Sequence, residues 1–210
     1  MTRWYIEKKK EHFYKQAKQV GYRARSAFKL QQIQNRFHLI PKDGIVLDLG
    51  AAPGGWCQVA KELVGTQGMV IGVDLSSIKP FEDIQFLQGD VTKTETLGQI
   101  KDLMNGKKAD VILSDMSPDI SGNYSVDQAR SVWLCESALH VVTQLLQPGG
   151  HFICKIFEGE DTKAFIEKVK HQFMVVKTFS PEATRKSSSE VYIIAKSFKK
   201  PYKKEDVSYL

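Results

Sequence analysis

Short apolar, β-branched runs recur along the chain at Ile45-Val-Leu-Asp-Leu, Met69-Val-Ile-Gly-Val-Asp, Ile84-Gln-Phe-Leu, Val111-Ile-Leu-Ser-Asp and His151-Phe-Ile-Cys-Lys-Ile-Phe. Helical periodicity fills the intervals over 54–64, 92–104, 125–146 and 161–171. Strands that alternate with helices bury both by forming a parallel sheet with helices on both faces. Two more strands, 173–178 and 191–196, are joined by a loop without a helical pattern. Lacking a crossover helix, that last pair should run antiparallel. The expected fold is therefore α/β, a mostly parallel sheet that ends in an antiparallel strand. No repeat or linker divides the 210 residues, a length suited to one domain. The expected organisation is a basic helical arm over 1–40 within that domain, a main unit over 41–198 and a tail over 199–210, with the cluster Lys196 to Lys204 read as frayed.

In an open parallel sheet, ligands bind beyond the carboxyl ends of the strands. The first such end carries DLGAAPGGWCQ, Asp48 to Gln58. A phosphate cradle needs successive backbone N–H groups, and Pro53 has none. Gly50, Gly54 and Gly55 do not fit G-x-G-x-x-G, and no Gly-Lys-Ser/Thr follows. A nucleoside-like ligand without phosphates is the better match. Asp74 ends the second strand, where it can accept hydrogen bonds from both hydroxyls of a ribose. Asp90, in Leu-Gln-Gly-Asp, can accept from the exocyclic amine of adenine. Together the two acids describe adenosine.

Lys155 lies inside a strand that should be covered on both faces, and lysine is seldom buried without a partner. A stem packed along the strand with a wet amine is the structural alternative. Asp115 follows the neighbouring parallel strand and Glu190 begins an antiparallel one, so all three gather at the carboxyl edge of the sheet.

Charge is unevenly distributed. Residues 1–42 hold 11 Lys/Arg against 2 Glu, whereas 43–210 hold 19 against 22. In the arm the cations are interleaved with Trp4, Tyr5, Phe13, Tyr14, Tyr22 and Phe28, a mixture that contacts phosphates and stacks on bases; a solvated amphipathic helix is the plainer reading. Cys57, Cys135 and Cys154 are widely spaced and fit free thiols in a cytoplasmic protein. No apolar run is long enough for a membrane span, and no metal site is expected. Cys57 reads as a small packing residue and the helix from Trp133 to Leu146 as core.

DLGAAPGGW, Val-Asp74-Leu, Gln-Gly-Asp90, LSDMSPDISG around Asp115, the PGG-x-F-x-x-K-x-F of 148–157 and the S-x-E-V-Y-I of 188–193 resemble the FtsJ/RrmJ family of S-adenosylmethionine-dependent RNA ribose 2′-O-methyltransferases. The resemblance runs from about Phe13 to Lys196. It implies a Rossmann-like class I methyltransferase fold with a seven-stranded sheet, S-adenosylmethionine as cofactor, and no metal. It implies cofactor contacts at Gly54, Trp56, Asp74, Asp90 and Asp115, and a catalytic set of Lys29, Asp115, Lys155 and Glu190. Lys29 rests on the motif Gly21-Tyr-Arg-Ala-Arg-Ser-Ala-Phe-Lys-Leu alone. Close members of the family modify a uridine of large-subunit ribosomal RNA; relatives act on tRNA. The expected function is that ribosomal RNA methylation by a monomer, within the large ribosomal subunit, with tRNA as the alternative substrate. An RNA-binding ribosome-assembly factor without turnover is the alternative of another class.

Methyl transfer to a ribose hydroxyl is an in-line displacement in which orientation alone can contribute about 7–11 kcal/mol. The hydroxyl proton must also leave. A free lysine, with a pKa near 10.4, costs about 4.6 kcal/mol to deprotonate at pH 7. A second cation lowers that cost and neighbouring carboxylates raise it. Lys155 is the expected general base, with Lys29 and Glu190 orienting it and the ribose; in the competing version Lys155 only hydrogen-bonds the oxygen.

Overall fold

The structure, a computed structural model, describes residues 13–185 and 188–199. The apolar runs form strands β1 (Ile45–Leu49), β2 (Met69–Asp74), β3 (Gln85–Gln88), β4 (Ala109–Ser114), β5 (Leu146–Phe157), β6 (Phe173–Phe179) and β7 (Glu190–Phe198) of one sheet. Its order is β3-β2-β1-β4-β5-β7-β6. The neighbours from β3 to β5 pair in parallel. β7 is antiparallel to both β5 and β6, as the helix-free loop requires. The sequence pattern did not reveal that β7 inserts between β5 and β6, which sets Glu190 opposite Phe157 at the carboxyl edge.

The helices are α1, helical over 13–20, α2 (Ala27–Phe37), α3 (Gly55–Val64), α4 (Thr94–Leu103), α5 (Tyr124–Leu145) and α6 (Thr162–Gln172). Because strand side chains alternate between faces, the sheet makes two cores. Leu47, Leu49, Ile71 and Ile112 meet α4, α5 and α6 through Ile100, Val141 and Phe165. Val46, Val70, Leu113 and Ile194 meet α2 and α3 through Leu30, Ile33 and Val59. Each such fully buried side chain contributes about 1.5–3 kcal/mol.

Three sequence expectations change. The arm is not one helix: it turns at Gly21, whose φ of 83° suits glycine, and the Tyr22 amide donates to the Ala17 carbonyl at 2.8 Å. Tyr22 and Phe28 are consequently buried, not available to bases. The Tyr22 hydroxyl donates to Glu62 on α3 at 2.7 Å. Tyr14 stays exposed under the Lys18 ammonium, while Trp4 and Tyr5 lie outside the described residues. The second change concerns the basic cluster at 196–204. Lys196 belongs to β7 and donates to the Phe37 carbonyl, and Lys199 donates to those of Lys170 and His171, so the chain is anchored at least to 199; residues 200–204 lie outside the described residues. The third is Trp133, which is 56% exposed on α5, not core.

Candidate active site

The glycine-rich turn after β1 is tied to the ends of its neighbours. The Gly50 and Ala51 amides donate to the Val73 carbonyl at 2.9 and 3.1 Å. The Asp74 carboxylate accepts from the Ala52 amide at 2.9 Å and from the Ser76 amide at 2.8 Å. Gly50 has φ 76°, and a Cβ there would lie 2.6 Å from Met116 Cγ, so only glycine lets the turn pass this close to the segment after β4.

In front of the turn opens a cleft of about 430 Å3, lined among others by Gly50, Asp74, Asp90, Asp115, Met116 and Trp133. That volume lies within the range of small-molecule sites. Asp90 accepts from the Thr92 hydroxyl at 2.7 Å and the Thr92 amide at 2.9 Å, and these bonds hold its carboxyl below the usual range. Three of the five residues expected at the cofactor, Asp74, Asp90 and Asp115, thus share one cleft. Gly54 and Trp56 do not line it. Gly54 is the N-cap of α3 with φ 108°, and a Cβ there would collide with the Phe81 ring. Phe81 is itself covered by the Arg23 guanidinium, 3.4 Å from the ring centroid, whose nitrogens donate to the Lys79 and Pro80 carbonyls. Trp56 is buried, its indole N–H donates to the Ser26 carbonyl at 2.8 Å, and its ring lies 5.7 Å from that of Tyr192.

At the Asp115 end the cleft adjoins a polar cluster. Lys155 is 6% exposed; its Nζ donates to the Asp115 carbonyl at 2.7 Å and lies 3.1 Å from Asp115 Oδ1. The Tyr192 hydroxyl donates to the same Oδ1 at 2.8 Å. Burial first, and then the charges of Asp115 and Glu190, push the Tyr192 phenol well above its ordinary value, so it remains a donor. Lys29, from α2, forms an ion pair with Glu190 and places its Nζ 5.7 Å from the Tyr192 ring centroid. Lys29, Asp115, Lys155 and Glu190 therefore converge as two ion pairs on either side of a buried tyrosine.

Sequence reasoning passed over several residues here. Tyr192 lies within the S-x-E-V-Y-I motif, and its pairing opposite Lys155 is a matter of register. Asp48 alternates with Val46 on a buried face, a signal that an acid is out of place. Asp48 Oδ2 accepts from the Cys57 thiol at 3.1 Å, while Oδ1 has no partner. Burial above all raises its carboxyl to about 7; the thiol contact opposes the shift, and the charges of Asp115 and Asp74 add to it. Cys57 is buried, in keeping with a packing role. Asp127 accepts from the Ser121 amide and hydroxyl and the Gly122 amide, fastening the loop that follows Asp115 to the first turn of α5. Among the described residues no group of His, Cys, Asp and Glu is arranged to hold a metal ion, and no helix is long and apolar enough to cross a membrane.

The family model described as FtsJ-like methyltransferase matches residues 22–198. The chain is 51% identical over 187 residues to a ribosomal RNA large subunit methyltransferase E of Methanothrix thermoacetophila, covering 89% of this chain and 72% of that one. It is 44% identical over 209 residues to the protein of the same name from Methanocaldococcus jannaschii, covering 97% and 85%. Its fold is similar to the crystal structure of a chain described as a ribosomal RNA methyltransferase from Plasmodium falciparum, with a TM-score of 0.77, 33% identity, and coverage of 84% and 98%.

Proposed function

This chain belongs to the FtsJ-like methyltransferase family, and on that premise we propose that it methylates a ribose 2′-hydroxyl, that of a uridine, in large-subunit ribosomal RNA, using S-adenosylmethionine. The observation that carries the reading is the junction of the cleft holding Asp74 and Asp90 with the cluster of Lys155, Asp115, Glu190 and Lys29. The names of the relatives support the RNA substrate. The chain acts in this reading as a monomer, in the cytoplasm, on RNA of the large ribosomal subunit.

The residues present fit the cofactor. The carboxylates of Asp74 and Asp90 line the cleft together with Val73, Val91, Met116 and Trp133, a combination that suits a purine nucleoside with free hydroxyls. Asp74 would hold the ribose, Asp90 the adenine edge and Asp115 the amino-acid end. Gly54 and Trp56 would act by setting the path of the turn. When bound, S-adenosylmethionine supplies an electrophilic methyl group on a sulfonium. Lys29 and Glu190 would bind and orient the acceptor ribose beside Lys155. Lys155 Nζ would take the hydroxyl proton, and Asp115, held by Tyr192, would fix the position of that nitrogen.

A second reading is favoured by the contacts of Lys155, because a carbonyl and a carboxylate are the partners of an N–H donor. In it Lys155 stays an ammonium and donates to the attacking oxygen, and the hydroxyl proton passes to solvent water only after the methyl group has been transferred. Single-turnover methylation measured against pH separates the two. A rate that rises with pH through the titration of one group, and is lost in Lys155→Ala, supports the base; a flat profile supports the donor. The Lys155→Ala variant should lose about 10²–10⁴-fold in rate and keep its cofactor affinity. An unchanged rate would eliminate both readings. Mapping ribose methylation across total RNA from cells with and without this protein tests the substrate: loss at a tRNA position would replace ribosomal RNA, and no loss anywhere would favour an assembly factor.

A further inference from the structure

The register across β5, β7 and β6 sets Lys155, Tyr192 and Phe179 opposite one another, hence on one face of the sheet. At about 4.8 Å per strand, Phe179 stands about 10 Å from Lys155. Helix α2 spans the same interval: Lys29 meets Glu190, and Arg36, seven residues and about 10.5 Å further along the axis, has its guanidinium 5.0 Å from the Phe179 ring centroid. Phe37 buttresses that ring edge-on at 5.4 Å. Beside them lies a groove of about 430 Å3, distinct from the cofactor cleft, lined by Gln32, Asn35, Arg36, Phe179 and Glu182. Gln32 is fixed there by accepting from the Ala183 amide at 3.1 Å.

We infer that this groove is a subsite for one unpaired nucleobase of the substrate RNA, one to three nucleotides from the methylated ribose. The inference rests on the RNA reading above. The span matches: about three steps of a stacked strand at about 3.4 Å each, or fewer when the strand is splayed. The chemistry matches a base better than a phosphate. An exposed, planar guanidinium held against an aromatic ring offers a stacking surface. The Asn35 and Gln32 carboxamides carry the donor and acceptor pairs that base edges require. Arg36 lies on the same helix as Lys29, two turns further along, so a strand bound at the catalytic cluster can reach the groove within a few nucleotides.

The test uses the full chain, S-adenosylmethionine and a large-subunit ribosomal RNA fragment containing the methylated position. Arg36 is exposed, so its substitution should leave the fold and the affinity for S-adenosylmethionine intact. Arg36→Ala should raise the KM for RNA about tenfold with kcat within about twofold of wild type. Arg36→Lys, which keeps the charge and loses the plane, should not restore it. In wild type, one abasic substitution among the three positions on either side of the target should reproduce the loss, and the same substitution should cost Arg36→Ala nothing more. An unchanged KM in Arg36→Ala, full rescue by lysine (the mark of a phosphate contact), or additive losses at every abasic position would overturn the inference. Wild-type enzyme that binds cofactor but methylates no ribosomal RNA fragment would sink the RNA reading and the subsite with it, whereas normal wild-type turnover with an unaffected Arg36→Ala sinks the subsite alone.

Discussion

Replacing Asp48 with asparagine should make the protein more stable at neutral and alkaline pH and change how its stability responds to pH. Asp48 is fully buried on β1 beneath the glycine-rich turn, with one carboxylate oxygen unpartnered. In the folded chain its carboxyl is raised from 3.8 to about 7. A raised acid binds its proton more tightly when folded, so its contribution is fully present below the unfolded value. It is lost as pH climbs through the folded value, because the unfolded chain releases the proton first. At about 1.36 kcal/mol per unit, the separation costs wild type about 2 kcal/mol at pH 5 and about 4 kcal/mol at pH 8, where both forms are ionised. A carboxamide does not ionise, so Asp48→Asn escapes this cost while preserving shape. Equilibrium urea unfolding at pH 5, 6, 7 and 8 should show the stability of the variant relative to wild type improving by about 2–3 kcal/mol across that range. A constant difference between the two proteins at all four values, whatever its sign, would refute the assignment of a proton to buried Asp48.

Two other expectations concern the turn and the arm. Gly54→Ala must adopt φ 108° and displace the Phe81 ring, so it should lose about 1–3 kcal/mol of stability and bind S-adenosylmethionine more weakly; adding Phe81→Ala should recover part of the loss, and an unchanged melting temperature in the single variant would show that the turn tolerates a side chain. Deleting residues 1–20 should weaken RNA binding and flatten its dependence on salt, since Lys8, Lys9, Lys10, Lys15 and Lys18 would be removed with their phosphate contacts, while cofactor affinity, measured by calorimetry, should persist.

Much of the scaffold could be read in order along the chain because it depends on local pattern. β-branched runs of a few residues, separated by helical periods, define a parallel sheet with helices on both faces, and the helix-free loop before Glu190 allows only an antiparallel return. The arm was harder. Its charges and rings suggested a solvated binding helix, yet Tyr22 and Phe28 are consumed by packing against α3 and Phe13. Interleaved aromatics look alike whether they face bases or a core, because the distinction depends on which side of the helix meets the sheet. Trp133 shows the converse: an indole within an apolar helix stays open to solvent at the cleft.

The sequence by itself determined the strand and helix order, the departure of Asp48 to Gln58 from a phosphate-binding turn, and the placement of Asp74, Asp90, Asp115, Lys155 and Glu190 at one edge of the sheet, because a strand end has a fixed place once the strands are parallel. Only the tertiary structure decided the insertion of β7 between β5 and β6, the burial of Tyr192 between two ion pairs, the arrival of Lys29 from a helix packed across that face, and the groove beside Arg36 and Phe179. Those features join residues that lie tens of positions apart in the chain, and 161 apart for Lys29 and Glu190. They follow from strand order and helix packing, which are set by how whole apolar faces fit together and leave no trace in the spacing of any short segment.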